Sequence, residues 1–441
     1  MKTDPIKPDY DAIIVGAGPA GSTAAILLAQ AGWSVALIEK HAFPRRKVCG
    51  ECIAATNLPL LDALGVGDAF DALAGPDLRR VGLHVGSHLL TAELPPFAAS
   101  KHPWGRALGR EHLDTLLLQR AAAVGADIWQ PRTVKRITRD GVRHICHTLD
   151  VGGNGFEAGT SATLSAPLLI AAHGSWELDP SAEQRKPRRQ RPSDLFAFKA
   201  TFRNAQIEPG LLPVLAFPGG YGGMVLGDHA LTTLAFCIRR DALRECRARH
   251  PGLKAALAAQ AHVEASCLGV RRTLADAELE ASWLSVGPIQ PGIRAPFRND
   301  GAFAIGNVAG EAHPILGEGI SMAIQSAWLL CDRLIARSDE LRRHDLLTGR
   351  AIAEVGRDYA ANWRRCFASR IRLAAVFAHL AMRPGASRTL MPLLQRWPQI
   401  LTASAMLGGK VRRIVQPIEN FHHIQRKLRV DCIPPATGRF R

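Results

Sequence analysis

The 441-residue chain has no uncharged apolar run of about 18 residues, so no membrane-spanning helix is read from it. It also lacks a charged-then-apolar leader. The opening MKTDPIKPDYD is polar and runs straight into a strand-like segment, so a cytoplasmic address is expected. No internal repeat or low-complexity tract stands out. Nine cysteines, an odd number without framework spacing, argue against a disulfide scaffold and suit reduced thiols. Cys49 and Cys52 form one C-x-x-C, yet no second ligand pair stands at zinc spacing and no thioredoxin-like context surrounds it, so neither a metal nor a working dithiol is expected. A composition of 47% hydrophobic and 21% charged residues excludes disorder and is enough for two or three domains.

Acid is scarce at one end. The net charge is +16, and from Ala361 onward fifteen Lys and Arg face only Glu419 and Asp431, so that stretch holds +13 of it. There, in ANWRRCFASRIRLAAVFAHLAM and LMPLLQRWPQILTASAMLGGKVRRIV, Leu, Phe, Trp and Met alternate with Arg at helical spacing. Such helices either lie on an anionic membrane surface or cap the core with Arg in water. No nucleic-acid partner is expected, because no reading domain or stacking platform accompanies the charge.

The segments DAIIVGAG, GSTAAILLAQAG and SVALIEK read as a β-α-β unit, and APLLIAAHG and GAFAIGNVAG as later buried strands. REHLDTLLLQRAAAVG and Glu318 to Ser338 read as helices. Between Phe196 and Val286 the pattern turns to short strands joined by Gly and Pro, an inserted, mostly antiparallel sheet. The basic stretch Ser181 to Ser193 reads as an exposed loop. An α/β fold follows: a Rossmann-like domain over 1–80, 105–178 and 287–340, a substrate-side sheet over 81–104 and 194–286, and a basic helical region over 341–441.

Gly16, Gly18 and Gly21 stand in G-x-G-x-x-G spacing between strand and helix: a tight turn, close approach of a pyrophosphate, and helix packing on the strand. Glu39 ends the second strand, where a carboxylate accepts ribose hydroxyls. IGNVAGEAHPILGEGISMAIQS aims N–H donors and a helix start, at Gly317, Glu318 and Gly319, toward one point, which suits a ring edge that turns anionic on reduction.

These segments, with RRKVCGE at Arg45 to Glu51 and Arg110 before its helix, resemble the FAD-dependent monooxygenase superfamily, which includes p-hydroxybenzoate hydroxylase-like enzymes and geranylgeranyl reductases. The resemblance covers about the first 340 residues. It implies that Gly16, Gly18 and Gly21 hold the FAD diphosphate, Glu39 the adenosine ribose and Arg110 the phosphate side. Arg46 and Lys47 lean on phosphate or ribose and Cys49 packs near the cofactor. Gly306, Asn307, Pro314, Gly317, Glu318 and Gly319 face the ribityl chain and ring, and Pro19, Ala20, Lys40 and Ile320 join the contacts. Asn307 replaces the family's Asp at the ribityl contact, and His173-Gly174 replaces its Asp-Gly. His313, beside Pro314, is the nearest titratable group for acid or base work.

The expected function is NAD(P)H-dependent monooxygenation of a small lipophilic aromatic or polyketide-like substrate, with FAD as cofactor and NADPH or NADH as reductant. A reductase of isoprenoid C=C bonds is the alternative, although its Tyr-x-Trp-x-Phe-Pro signature is missing and only FPGGYGGM, Phe217 to Met224, stands in a comparable place. A halogenase ranks lower, since Trp-x-Trp-x-Ile-Pro is absent. A non-catalytic flavin- or lipid-binding accessory protein is the reading from a different class.

Overall fold

The protein is described by a computed structural model over residues 9–97, 101–151, 160–175, 190–342 and 346–407. Residues 181–189 of the expected basic loop, and the tail beyond Leu407, lie outside the described residues.

Strand Ala12–Val15 sits at the centre of a five-stranded parallel sheet. It pairs with Val35–Ile38 on one side and Leu168–Ala171 on the other, and Asp127–Trp129 and Phe303–Ala304 form the edges. AIIV is apolar at every position because both faces are covered. Ala12 and Ile14 turn toward the helices Pro19–Gln30, Arg110–Ala123 and Gly319–Ala336. Ile13 and Val15 turn the other way, onto Cys146, Leu164 and Ala166 of a three-stranded antiparallel sheet, Arg132–Asp140, Arg143–Asp150 and Ser161–Ala166. The α/β expectation is met.

The insert is an eight-stranded sheet drawn from two distant parts of the chain. Leu195–Arg203, Leu211–Phe217, Gly220–Leu226, Thr232–Arg239 and Leu284–Ile289 run antiparallel to their partners, and Leu211–Phe217 joins Arg80–Val85 in parallel. One departure from the sequence reading is clear: residues 240–273 hold three helices, Arg240–Arg249, Ala255–Ser266 and Leu268–Thr273. Their alanine-rich stretches, AALAAQAHVEAS above all, favour helix. They cover the sheet face built by Phe198, Phe202, Phe217 and Phe236.

A 36-residue helix, Leu346–Ala381, crosses back over the parallel-sheet domain, with Tyr359, Trp363 and Phe367 buried and the Tyr359 hydroxyl donating to the Ala304 carbonyl at 2.9 Å. Its end reaches the insert, where Ala378 and Met382 pack on Tyr221 and Ile289. Helices Pro384–Arg396 and Gln399–Leu407 follow. No helix among the described residues is long and apolar enough to cross a membrane.

Candidate active site

The three glycines of the first loop divide their work. Gly16 sits at φ +104°, and a Cβ there would meet the Ala172 carbonyl and the His173 Cα at 2.7 Å. A Cβ on Gly21 would collide with the Gly16 carbonyl at 1.8 Å. Both positions are glycine because the fold demands it. Gly18 is different: its φ is −69°, and a Cβ would meet nothing nearer than Arg110 Nη2 at 3.7 Å. The fold tolerates a side chain here. What needs glycine is the cavity that Gly18, Pro19 and Ala20 line, at the start of a helix whose N–H groups suit a diphosphate.

Behind this loop the buried Glu39 carboxylate accepts the Ala17 and His41 N–H groups, each at 3.0 Å, and lies 3.6 Å from Arg45. It thus shapes the loop and the end of its own strand. Lys40 follows at that strand end, partly exposed and off the cavity wall.

A basic cluster closes the next wall. Arg110 lines the cavity and donates through Nε and Nη2 to Asp114, each at 2.7 Å. Burial opposes its charge, but the Asp114 carboxylate overrides this and raises its pKa. Lys47, also on the wall, is pushed down to about 8 by burial and then by the neighbouring Arg110 and Arg45. A cation surrounded by cations is suited to hold an anion. Arg46 corrects the expectation: its Nη1 donates to the Ser282 carbonyl at 3.1 Å, on the insert, and this bond holds it off the cavity wall that Lys47 lines. Cys49 lines the cavity and accepts the Glu51 N–H at 3.4 Å, and neither it nor Cys52 is in a disulfide.

The second fingerprint meets the first. Gly306, at φ +58°, donates its N–H to Ser326 Oγ at 2.8 Å, and a Cβ on it would come within 3.1 Å of Ala20. Asn307 anchors itself to Ser175 Oγ at 2.9 Å. Both line the cavity, with Pro314, Gly317, Gly319 and Ile320. Glu318 does not. Its carboxylate is buried against Arg370 of the long helix, whose Nη1 also donates to Gln325 at 3.1 Å. The expected cofactor contact is therefore a tie holding the C-terminal helix to this turn.

His313 is a further correction. It is buried, with Nδ1 2.9 Å from the Tyr221 hydroxyl and its ring against His379, and burial followed by the His379 charge lowers it to about 4. A ring held neutral and off the cavity wall has no proton to give near neutral pH. Tyr221 on strand Gly220–Leu226 does line the cavity, so the expected turn FPGGYGGM supplies a wall through Tyr221, Gly222, Gly223 and Met224. Pro314 lines it without a titratable group.

Sequence reasoning missed the polar floor. Lys199 pairs with Glu51, whose carboxylate also accepts Thr233 Oγ1 at 2.7 Å and the Arg110 N–H at 3.0 Å, all buried. This network ties the insert to the parallel-sheet domain. A lysine inside the apolar strand LFAFKATF was the available signal.

From the cradle the cavity, about 540 Å³, extends past Leu212, Met224 and Ile289 to Phe377, Leu380, Leu393 and Leu401 of the C-terminal helices. A dinucleotide cradle, a basic wall and an apolar chamber thus share one space.

Comparison with known proteins accords with this arrangement. Residues 9–349 match the FAD-binding domain family. The chain belongs to that family of FAD-binding proteins. It is 26% identical over 341 residues to a tryptophan 2-halogenase of Chondromyces crocatus, covering 72% of this chain and 59% of that one. Over 165 residues it is 30% identical to a menaquinone reductase of Mycolicibacterium smegmatis, covering 37% of each. In fold it resembles the myxobacterial chondrochloren halogenase CndH, with TM-score 0.69 and 18% identity across 97% of this chain and 98% of that one. Pseudomonas aeruginosa PqsL superposes with TM-score 0.63 and 14% identity, over 87% of this chain and 100% of that one. The chain thus spans less than two thirds of the length of each of these two curated relatives.

Proposed function

We propose that this protein is an FAD-dependent monooxygenase that hydroxylates a lipophilic aromatic or polyketide-like molecule, with NADPH or NADH as the electron source. One observation carries the reading: the apolar chamber opens directly from the cofactor cradle, so a lipophilic molecule enclosed by Leu212, Met224, Tyr221 and Ile289 lies against whatever Gly306, Asn307 and Pro314 hold. Bound FAD supplies electron transfer and oxygen activation.

The residues of the chain supply the setting. Lys47 and the helix start at Pro19 hold negative charge, and the backbone at Gly18 admits it closely. Apolar walls keep water from the reacting centre and orient the substrate ring. Tyr221 keeps its proton, because burial raises its pKa well above the ordinary value, and its hydroxyl lies between His313 and Cys237. The Tyr221 ring therefore acts as a fixed wall.

The test is turnover of the FAD-loaded protein with alkylated phenols and resorcinols under labelled dioxygen. Substrate-dependent NAD(P)H oxidation with one labelled oxygen atom in the product is expected. Reduction of a C=C bond without oxygen uptake would favour the isoprenoid-reductase reading, and FAD retention without any turnover the accessory one. Halogenation is a second reading, favoured by the relative matched over 72% of the chain, and bromide in the same assay with a brominated product would establish it.

A further inference from the structure

We propose that the mouth of the cavity docks on an anionic lipid bilayer, which makes the substrate a membrane-dissolved molecule; this rests on the lipophilic-substrate reading above. Leu380 and Leu393 both line the cavity and stand exposed, at 37% and 41%, so they form its rim. One helical turn before Leu380 lies Val376, 54% exposed, and one turn beyond Leu393 lies Trp397, 52% exposed. Four of the ten exposed large hydrophobic side chains among the described residues thus fall within 22 positions around one opening. Scattered exposed apolar residues need no explanation, but a group at a cavity mouth does.

Charge identifies the occupant. Arg364, Arg365 and Arg372 on the long helix, Arg396 on the next and Arg383 between the two are exposed, and no Asp or Glu occurs between Asp358 and Glu419. Apolar side chains with an aromatic ring, flanked by arginines alone, match the boundary of an anionic bilayer, where the apolar groups enter the acyl region and guanidinium groups meet phosphates. An acidic protein would satisfy the arginines but would leave the rim without the depth of hydrocarbon that a bilayer offers. The bilayer also stores lipophilic molecules where the chamber opens. With no spanning helix among the described residues, the attachment is peripheral.

The test is co-sedimentation of the FAD-loaded 441-residue chain with vesicles of phosphatidylcholine alone or with about one third phosphatidylglycerol, at low and high salt. Binding to the anionic vesicles at low salt is expected, falling about tenfold or more at high salt or on neutral vesicles. Trp397→Ser should weaken it several-fold with charge unchanged, and Arg372→Glu with Arg396→Glu about tenfold or more. All these variants keep the basic tail, so undiminished binding by both would place attachment elsewhere and overturn the proposal. Failure of the parent protein to bind anionic vesicles, or capture of an acidic carrier protein instead of vesicles, would also overturn it. Flavin content and thermal midpoint confirm that each variant is folded, and Arg396→Glu alone serves if the double variant is not. Sedimentation needs no turnover, so loss of the hydroxylase reading and loss of membrane docking give separate results.

Discussion

The Tyr221 hydroxyl and His313 Nδ1 lie 2.9 Å apart, and the pair joins the insert sheet to the turn that follows the second fingerprint. Both groups are buried, so neither has water as a substitute partner. Tyr221→Phe keeps the cavity wall but leaves Nδ1 one partner short, at a cost of about 1–3 kcal/mol. Urea unfolding of the two proteins checks this. Under the proposed hydroxylase reading, kcat/KM with any phenol that is turned over should fall far less than in Tyr221→Ala, which removes the wall.

His313, His84 and His144 are each lowered to about 4 by burial, against 6.5 when unfolded. Between these values the unfolded chain binds more protons, so stability rises with pH. The contribution is complete above about pH 6.5 and is lost as pH falls toward 4. Unfolding midpoints measured across this window should drop steadily. His144→Gln should flatten the slope by close to one proton.

Gly18 and Gly21 look alike in sequence and should respond differently. Gly21→Val must push apart the turn and the helix, since even a Cβ stands 1.8 Å from the Gly16 carbonyl, and the protein should fail to fold. Gly18→Val should keep the parent thermal midpoint without cofactor and lose flavin on gel filtration. Absorbance of the eluted protein decides, and a Gly18→Val protein that stays yellow would remove the cofactor from this loop.

Lys47 carries a charge that its surroundings disfavour, with a pKa near 8 rather than 10.5. An anion bound beside it favours the protonated form, so FAD affinity should be constant below about pH 8 and weaken as pH rises through it. Lys47→Met should abolish that dependence and bind FAD more weakly at neutral pH. The same change should stabilise the cofactor-free protein by on the order of 1 kcal/mol, because solvent reaching the cavity wall screens much of the charge. Flavin titrations across pH and thermal melts test the two halves independently.

Glu318→Gln leaves the Arg370 cation buried against neutral partners and should cost roughly 3–5 kcal/mol. Arg370→Met combined with Glu318→Met should recover much of that loss, because the desolvation of both charges disappears. A double-mutant cycle in urea measures the coupling.

The β-α-β unit was legible because its signals are local: an apolar strand, glycines at fixed offsets and a carboxylate at the end of the next strand. The insert was legible as strands for the same reason. Residues 240–273 were not, since helices that cover a sheet carry only a short apolar stripe, and the surrounding strands dominated the pattern. Arg46 and Lys47 are neighbours of one charge type, and nothing in their order tells which turns to the cavity and which to Ser282.

The amino-acid sequence by itself therefore determined the dinucleotide loop, the glycine positions around it and the basic, apolar character of the C-terminal helices, because backbone sterics, periodicity and charge act over a few residues. Only the tertiary structure decided that Arg80–Val85 would share a sheet with Leu211–Phe217, that Glu51 would meet Lys199, and that Arg370 would reach Glu318. Those contacts join residues up to 148 positions apart. Buried charges must find partners and apolar faces must be covered, yet which distant partner answers each need depends on how the whole chain packs.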